Sequence, residues 1–335
     1  MSGTRYLIQA CLYPDMKNTL HIIGISGGKD STATLLLALA RLPKERIRAV
    51  FADTGNEHPE TYAYLDYLEG RLSIPITRIH PDFTGMIQAK RRMLSRDQRT
   101  GRDRRGVKLR WSNRRKREAL AHLHPSGNPF LDLCLAKGMF PSNRARFCTE
   151  SLKKDVLIGY SDDLVQNGHN IIFWQGVRRD ESPRRRTARL FERVGRGMFH
   201  FRPIVDWTEE DVFRFLAEQD VRPNPMYEKV GRVGCAPCVY SNKKDLRVLL
   251  DDETVDRIRD WEKQVSACSK TGWAAFFHGK EMSGARVGKV HPLVYVKRHQ
   301  IDAIRHWSSK PTRFVEADWE GMEESSCSSE WGMCS

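Results

Sequence analysis

Long apolar runs are missing from this 335-residue sequence: the longest unbroken one, Leu35 to Ala40, has six residues, far below the roughly 18 that a membrane-spanning helix needs. The opening segment MSGTRYLIQACLYPD carries no basic-then-apolar leader, so no membrane partner is expected and the cytoplasm is the expected compartment. No internal repeat is present, and the length points to one large domain or two modest ones. The setting for a disulfide framework is absent too. Eight cysteines in a chain of this length without a leader read as reduced thiols for metal or redox work. With 40% hydrophobic and 29% charged residues the composition is that of a soluble globular enzyme, not a fibrous or disordered chain.

Acidic residues are in deficit, 42 against 56 Lys and Arg, which leaves a net charge of +14. The deficit is local. Between Lys90 and Arg117 stand 14 basic residues and two acidic ones, Asp97 and Asp103, so this segment alone contributes +12. A patch of that kind, with Trp111 inside it, meets polyanions such as nucleic acid; the alternative is a solvated surface loop without a partner.

What the sequence does contain is an alternation of strand and helix signals from Thr19 to Ile79. Leu20 to Ile25 is a short apolar run, broken by Ser26-Gly27-Gly28-Lys29-Asp30-Ser31 and followed by Leu35, Leu39 and Leu42 at helical spacing before Pro43. A second strand, Ile47 to Ala52, ends at Asp53-Thr54-Gly55. A second helix begins near Pro59, and a third strand lies at Ile76 to Ile79. Helical signal returns at Glu150 to Val165, and Asn170 to Trp174 reads as a strand running into Gln175-Gly176-Val177-Arg178-Arg179. Thr208 and Asp211 form a capping pair for a helix carrying Val212, Phe215 and Leu216. The pattern predicts an α/β fold: a parallel twisted sheet with helices on both faces, whose ligands sit at the carboxyl ends of the strands.

Ser26 to Ser31 has the parts of an anion cradle: glycines that let backbone amides turn inward, a helix N-terminus, hydroxyls and Lys29. It is not a Walker A loop, because Ile23 and Asp30 stand where that pattern needs glycine and Ser/Thr, nor is it G-x-G-x-x-G. Cys235-Ala236-Pro237-Cys238 is the close-spaced cysteine pair in the body of the chain, preceded by Gly231 and Gly234; two thiolates need two more ligands to complete a tetrahedral site. Cys134 and Cys148 complete a candidate set of four, enough for a 4Fe–4S cluster or a structural Zn²⁺. Cys11 and Cys268 read as buried or incidental.

Taken with the strand before it, S-G-G-x-D-S resembles the PP-loop of ATP pyrophosphatases, the adenine nucleotide alpha-hydrolase group. Asp53-Thr54-Gly55 with Glu57 and Pro59-Glu60-Thr61, Gly176-Val177-Arg178-Arg179-Asp180-Glu181-Ser182, Pro203-Ile204-Val205-Asp206-Trp207 and Asn224-Pro225-Met226-Tyr227 resemble segments of the phosphoadenosine phosphosulfate (PAPS) reductase family. These matches cover about residues 20 to 80 and 145 to 240. The resemblance implies an adenine nucleotide alpha-hydrolase-like domain over 1–85 and 145–207, a basic insertion at 86–144, and a C-terminal helical region at 208–335 with the C-x-x-C and a thiol-bearing tail. It implies ATP, or PAPS or adenylyl sulfate, held by Ser26, Gly27, Gly28, Lys29, Asp30, Ser31, Asp53, Thr54, Gly55, Glu57, Gly176, Arg178 and Arg179, with Mg²⁺ on Asp30.

Two branches of that family are relevant. One reduces adenylyl sulfates; another, DndC-like, is associated with putting sulfur into nucleic acid, and both hold a four-iron cluster on cysteines. This chain lacks the adjacent Cys-Cys pair of the cluster-bearing reductases. Lys29 and Asp30 are the candidate catalytic residues of the loop, and Cys327 and Cys334 those of the tail, where Trp331 stands in the place of the family's terminal cysteine. The favoured expectation is an ATP-dependent sulfur transfer with nucleic acid, bound through 90–117, as acceptor and a sulfur-donor or thioredoxin-like protein as partner. The alternatives are a PAPS or adenylyl-sulfate reductase and a non-catalytic nucleotide-sensing module.

Overall fold

The computed structural model describes residues 18–104, 106, 108–142, 145–195, 197–277 and 292–310. Thr19–Ile25 forms β1, buried along its length apart from Gly24. Gly27, at φ +76°, turns the chain into α1 (Lys29–Leu39), ten of whose 11 residues are buried. Next come β2 (Ile47–Ala52), α2 (Pro59–Leu72) and β3 (Ile76–Ile79). Proline suits the first turn of α2, where its missing N–H costs nothing, and His58 accepts the Glu60 N–H at 3.2 Å.

The stretch after β3, in which little periodicity is legible, holds three helices: α3 (Thr84–Ser95), α4 (Asn113–His122) and α5 (Pro129–Lys137). The expected helix at 150–165 is divided. A turn at Phe147–Thr149 and a π-helical segment, Glu150–Lys154, precede α6 (Asp155–Gln166), and the π segment buries Leu152 and Lys153. Then follow β4 (Asn170–Trp174), β5 (Phe191–Gly195), β6 (Met198–Phe201) and α7 (Glu209–Glu218), with the Thr208–Asp211 capping box in place. The chain continues through α8 (Lys243–Leu249), α9 (Asp252–Ala267), α10 (Pro292–His299) and α11 (Ile301–Ser309).

The six strands form one sheet in the order β3-β2-β1-β4-β6-β5, parallel except for β5, which runs antiparallel to β6. Leu35, Leu65, Leu68, Val212 and Leu216 from α1, α2 and α7 cover one face, and Leu157 of α6 lies on Ile22, Val50, Ile171 and Phe173 on the other. The strand order reverses between β1 and β4, so the crevice at their carboxyl ends is the place where ligands bind such sheets.

The insertion and the C-terminal helices share one core. Ile87 and Leu94 of α3, Ala119 of α4 and Leu133 of α5 pack with Ile258 and Trp261 of α9 and Ile304 of α11. Basic residues of the insertion are structural members of that unit. Buried Arg115 donates to the carbonyls of Ser266, Ala267 and Ser269 at 2.7, 2.9 and 2.6 Å, closing the C-terminus of α9. Lys90 donates to Leu135 O and Cys268 O at 2.8 and 2.9 Å. No helix among the described residues is long and apolar enough to cross a membrane.

Candidate functional site

The loop after β1 is held in shape from inside and outside. Ser31 Oγ accepts the Ser26 N–H at 3.2 Å, lies 3.1 Å from Ser26 Oγ and donates to Gly28 O at 2.9 Å. A Cβ on Gly27 would sit 2.7 Å from Thr61 Cγ2, so positive φ and contact both require glycine there. The N-P-x-Y element clamps the loop: Asn224 Nδ2 donates to Gly27 O at 3.0 Å, and Tyr227 Oη accepts the Lys29 N–H at 2.9 Å. Sequence patterning flagged this element and could not show that it grips the loop.

From β4 comes the second wall. A Cβ on Gly176 would fall 2.7 Å from the carbonyl of Asp30 and 2.9 Å from Ser31 N, so the glycine lets the β4 exit close on the start of α1. Arg178 Nε then donates to Asp30 Oδ1 at 2.7 Å, and its Nη1 reaches Asp180 at 2.6 and 2.7 Å. Arg179 turns elsewhere, to Ala188 O at 3.0 and 2.8 Å and to Asp206. Lys29 Nζ lies 3.1 Å from Glu209 and 3.7 Å from Asp30, with the Tyr227 and Phe213 ring centroids 5.0 and 5.8 Å away. Burial depresses its pKa, but Tyr227, Asp30 and Glu209 outweigh that and the net shift is upward, so it is a fixed cation at neutral pH. Glu209 and Tyr227 carry no local signature of a site role, because their contacts with Lys29 span more than 150 residues, and Asp180 beside Arg178 reads as part of the segment without a partner of its own.

Beside the loop, Asp53 accepts from Tyr62 Oη at 2.7 Å and from the Gly55 N–H at 2.9 Å. Thr54 donates to Glu57 at 2.7 Å, and Glu57 pairs through an isolated bridge with Cys235, whose Sγ is 4.0 Å from Thr54 Oγ1. Burial raises the Glu57 carboxyl above its usual range, opposed by the Lys153 ammonium. A cavity bounded by Ile25, Ser26, Phe51, Ala52, Glu57, Lys153 and Gly234 joins this network to the loop. Lys153 escaped the sequence reading because its burial depends on the π segment. Buried polar atoms without a hydrogen-bond partner gather at this edge: Asp30 Oδ2, Asn56 Oδ1, Thr61 Oγ1 and both amide atoms of Gln175.

Cys134 is fully buried on α5 with Cys148 packed against the same core, and burial with the neighbouring Cys148 raises its thiol well above the usual range. Cys235 and Cys238 lie on the loop that bonds to Asn56, where Ala236 N donates to Asn56 O at 2.7 Å. Among the described residues no three His, Cys, Asp or Glu side chains come together as a metal-holding group. Asp30 Oδ2, buried, without a hydrogen bond and 3.7 Å from Lys29 Nζ, does suit a magnesium ion shared with phosphate oxygens. Cys327 and Cys334, like Cys11, lie outside the described residues.

The basic stretch divides into two sets. Lys90, Arg91, Arg115 and Lys116 point inward to carbonyl oxygens. Arg92, Arg96, Arg104, Lys108, Arg110, Arg114 and Arg117 are exposed, and none of them has an acidic partner among the described residues. Trp111, which the sequence places inside the basic run, is not on that face: it is 7% exposed within the helical core, and its backbone N–H donates to Asp97. An indole buries far more apolar surface than it leaves exposed, and the core under α3 and α4 takes it.

Known proteins match this chain along most of the sheet domain. The family model of the phosphoadenosine phosphosulfate reductase domain matches residues 21–241. An uncharacterized 37.8 kDa protein of Escherichia phage 186 is 38% identical over 304 residues, covering 87% of this chain and 89% of the relative. An adenosine 5'-phosphosulfate reductase of Salinibacter ruber is 27% identical over 190 residues, 56% of each chain. A crystal structure of phosphoadenylyl-sulfate reductase from Candida auris, in a phosphate complex, is similar over 70% of this chain and 89% of that chain, with 13% identity and a TM-score of 0.42. The chain belongs to the phosphoadenosine phosphosulfate reductase domain family.

Proposed function

We propose that this protein is an adenine-nucleotide-dependent enzyme of sulfur chemistry that binds ATP with magnesium at Ser26 to Ser31 and uses adenylation to transfer sulfur, with nucleic acid as the acceptor. The observation that carries the reading is the closure of Gly176 and Arg178 on the N-terminus of α1, which sets a buried carboxylate and two cations around a helix end suited to phosphate. Asp30 would hold magnesium in this reading, and the metal would neutralise charge on the phosphates. The acceptor oxygen attacks the α-phosphorus, pyrophosphate leaves, and a sulfur nucleophile then displaces AMP. The exposed cations of 92–117 support nucleic acid as the acceptor, because phosphate contacts from Lys and Arg give affinity independent of sequence.

The test is anaerobic incubation with ATP, magnesium, a sulfide source and nucleic acid, with AMP, pyrophosphate and incorporated sulfur as readouts. Production of all three supports the reading, and their absence removes it. No step is assigned to a metal on the four cysteines; iron, zinc and sulfide analysis of parent and a Cys235→Ser, Cys238→Ser variant measures metal content directly. A second reading, reduction of PAPS or adenylyl sulfate by a tail thiol, is supported by the name of the Salinibacter relative. Sulfite release lost in Cys327→Ser or Cys334→Ser would favour it.

A further inference from the structure

Two cations flank the loop, and both are buried: the side chains of Lys29 and Arg178 are 7% and 4% exposed. A buried cation without a counter-ion is strongly unfavourable, so each is matched by two carboxylates. One carboxylate is shared. Asp30, 1% exposed, lies 2.7 Å from Arg178 Nε and 3.7 Å from Lys29 Nζ. The other is private and half in water: Asp180, 42% exposed, on Arg178 at 2.6 Å, and Glu209, 52% exposed, on Lys29 at 3.1 Å.

We propose that Asp180 and Glu209 are displaceable counter-ions, which neutralise Arg178 and Lys29 until the oxygens of a nucleotide polyphosphate take their place. The inference rests on the nucleotide reading above. Its physical basis is the asymmetry of exposure. A half-exposed carboxylate regains its hydration when it lets go, whereas Asp30 has no water to return to and stays with the cations. Arg178 Nη1, which meets both Asp180 oxygens at 2.6 and 2.7 Å, offers the same charged donor to a phosphate oxygen. Glu209 begins α7 and Asp180 lies in the loop after β4, so each hangs from a separate wall of the site and can swing outward without disturbing Ser26 to Ser31. Both residues thereby weaken binding of a ligand they do not touch, by competing for its cations.

The test is calorimetric titration of ATP, with divalent metal chelated, into the full-length protein and into Glu209→Gln and Asp180→Asn. The amides keep the shape of the acids at half-exposed positions, and an unchanged unfolding temperature verifies the fold. Each variant is expected to bind ATP about threefold or more tightly than the parent, with a larger ratio at low salt than at high salt. Unchanged or weaker binding in either variant, with parent binding intact, overturns the exchange at that residue and leaves the nucleotide reading standing. Failure of ATP to bind parent and variants alike, both with the metal chelated and with magnesium restored, removes both.

Discussion

Gly176 shows how one absent side chain assembles the site. The smallest change, Gly176→Ala, puts a methyl group 2.7 Å from backbone atoms of Asp30, which cannot rotate away. The expected cost is about 1–3 kcal/mol of stability, with loss of ATP affinity because the start of α1 must move; urea unfolding and ATP titration together check this, and unchanged values in both would contradict it. Gln175, next to it, is 3% exposed with neither amide atom paired. Gln175→Leu is expected to raise stability by about 1 kcal/mol, since an unpaired buried amide costs more than an apolar side chain of similar size. Glu262 is a third residue-scale case. It accepts the N–H groups of Phe276 and Ile301 at 2.8 and 3.1 Å, yet burial pushes its carboxyl up from 4.5 to about 7. The folded state holds the proton more tightly than the unfolded one, so stability is greatest below pH 4.5 as far as this group is concerned and declines as pH rises to about 7. The total is about 3 kcal/mol, and Glu262→Gln is expected to flatten the unfolding free energy across that window.

At the scale of elements, α9 depends on a residue from another helix. Its last carbonyls are satisfied by Arg115 of α4, and Arg115→Met is expected to cost about 3 kcal/mol or more, because three carbonyl oxygens lose a charged donor. Chemical denaturation measures this, and a loss under about 1 kcal/mol would show that water replaces the guanidinium. The same interaction explains what was and was not legible in the sequence. β1, β2 and β4 announce themselves by apolar runs, β3 by its two terminal isoleucines, and Thr208 with Asp211 marks the start of α7, because those signals are local. α4 does not: Arg115 and Ala119 are its buried residues, so the period of its buried face is invisible to a count of apolar residues. The antiparallel β5 was missed because Phe191–Gly195 alternates around charged Glu192 and Arg193. Within the site, Ser26 to Ser31 is readable from its glycines and hydroxyls, Gly176 and Arg178 from the family resemblance, whereas Lys153 and Glu209 act through partners that only the fold brings near.

Over the whole molecule, charge is sorted by depth. Of the net +14, the segment from Lys90 to Arg117 carries +12, with some of its cations buried on carbonyls and others left in solvent. Replacing Arg104, Arg110, Arg114 and Arg117 by glutamine removes none of the hydrogen bonds seen within the described residues, so the unfolding temperature is expected to stay the same. Binding to nucleic acid is expected to weaken at every sequence, and the salt slope to fall by about 0.9 for each phosphate that is no longer neutralised. Equal binding by parent and variant would assign the patch to solubility alone.

The measurement that bears most directly on the proposed function is the identity of the products formed from ATP, with nucleic acid and a sulfide source present, by the parent and by Asp30→Asn. AMP and pyrophosphate are expected from the parent and neither from the variant, because Asp30 ties the cradle to Arg178 and carries the second oxygen that would meet magnesium. ADP and phosphate as products, or equal turnover by the variant, would contradict the adenylation reading.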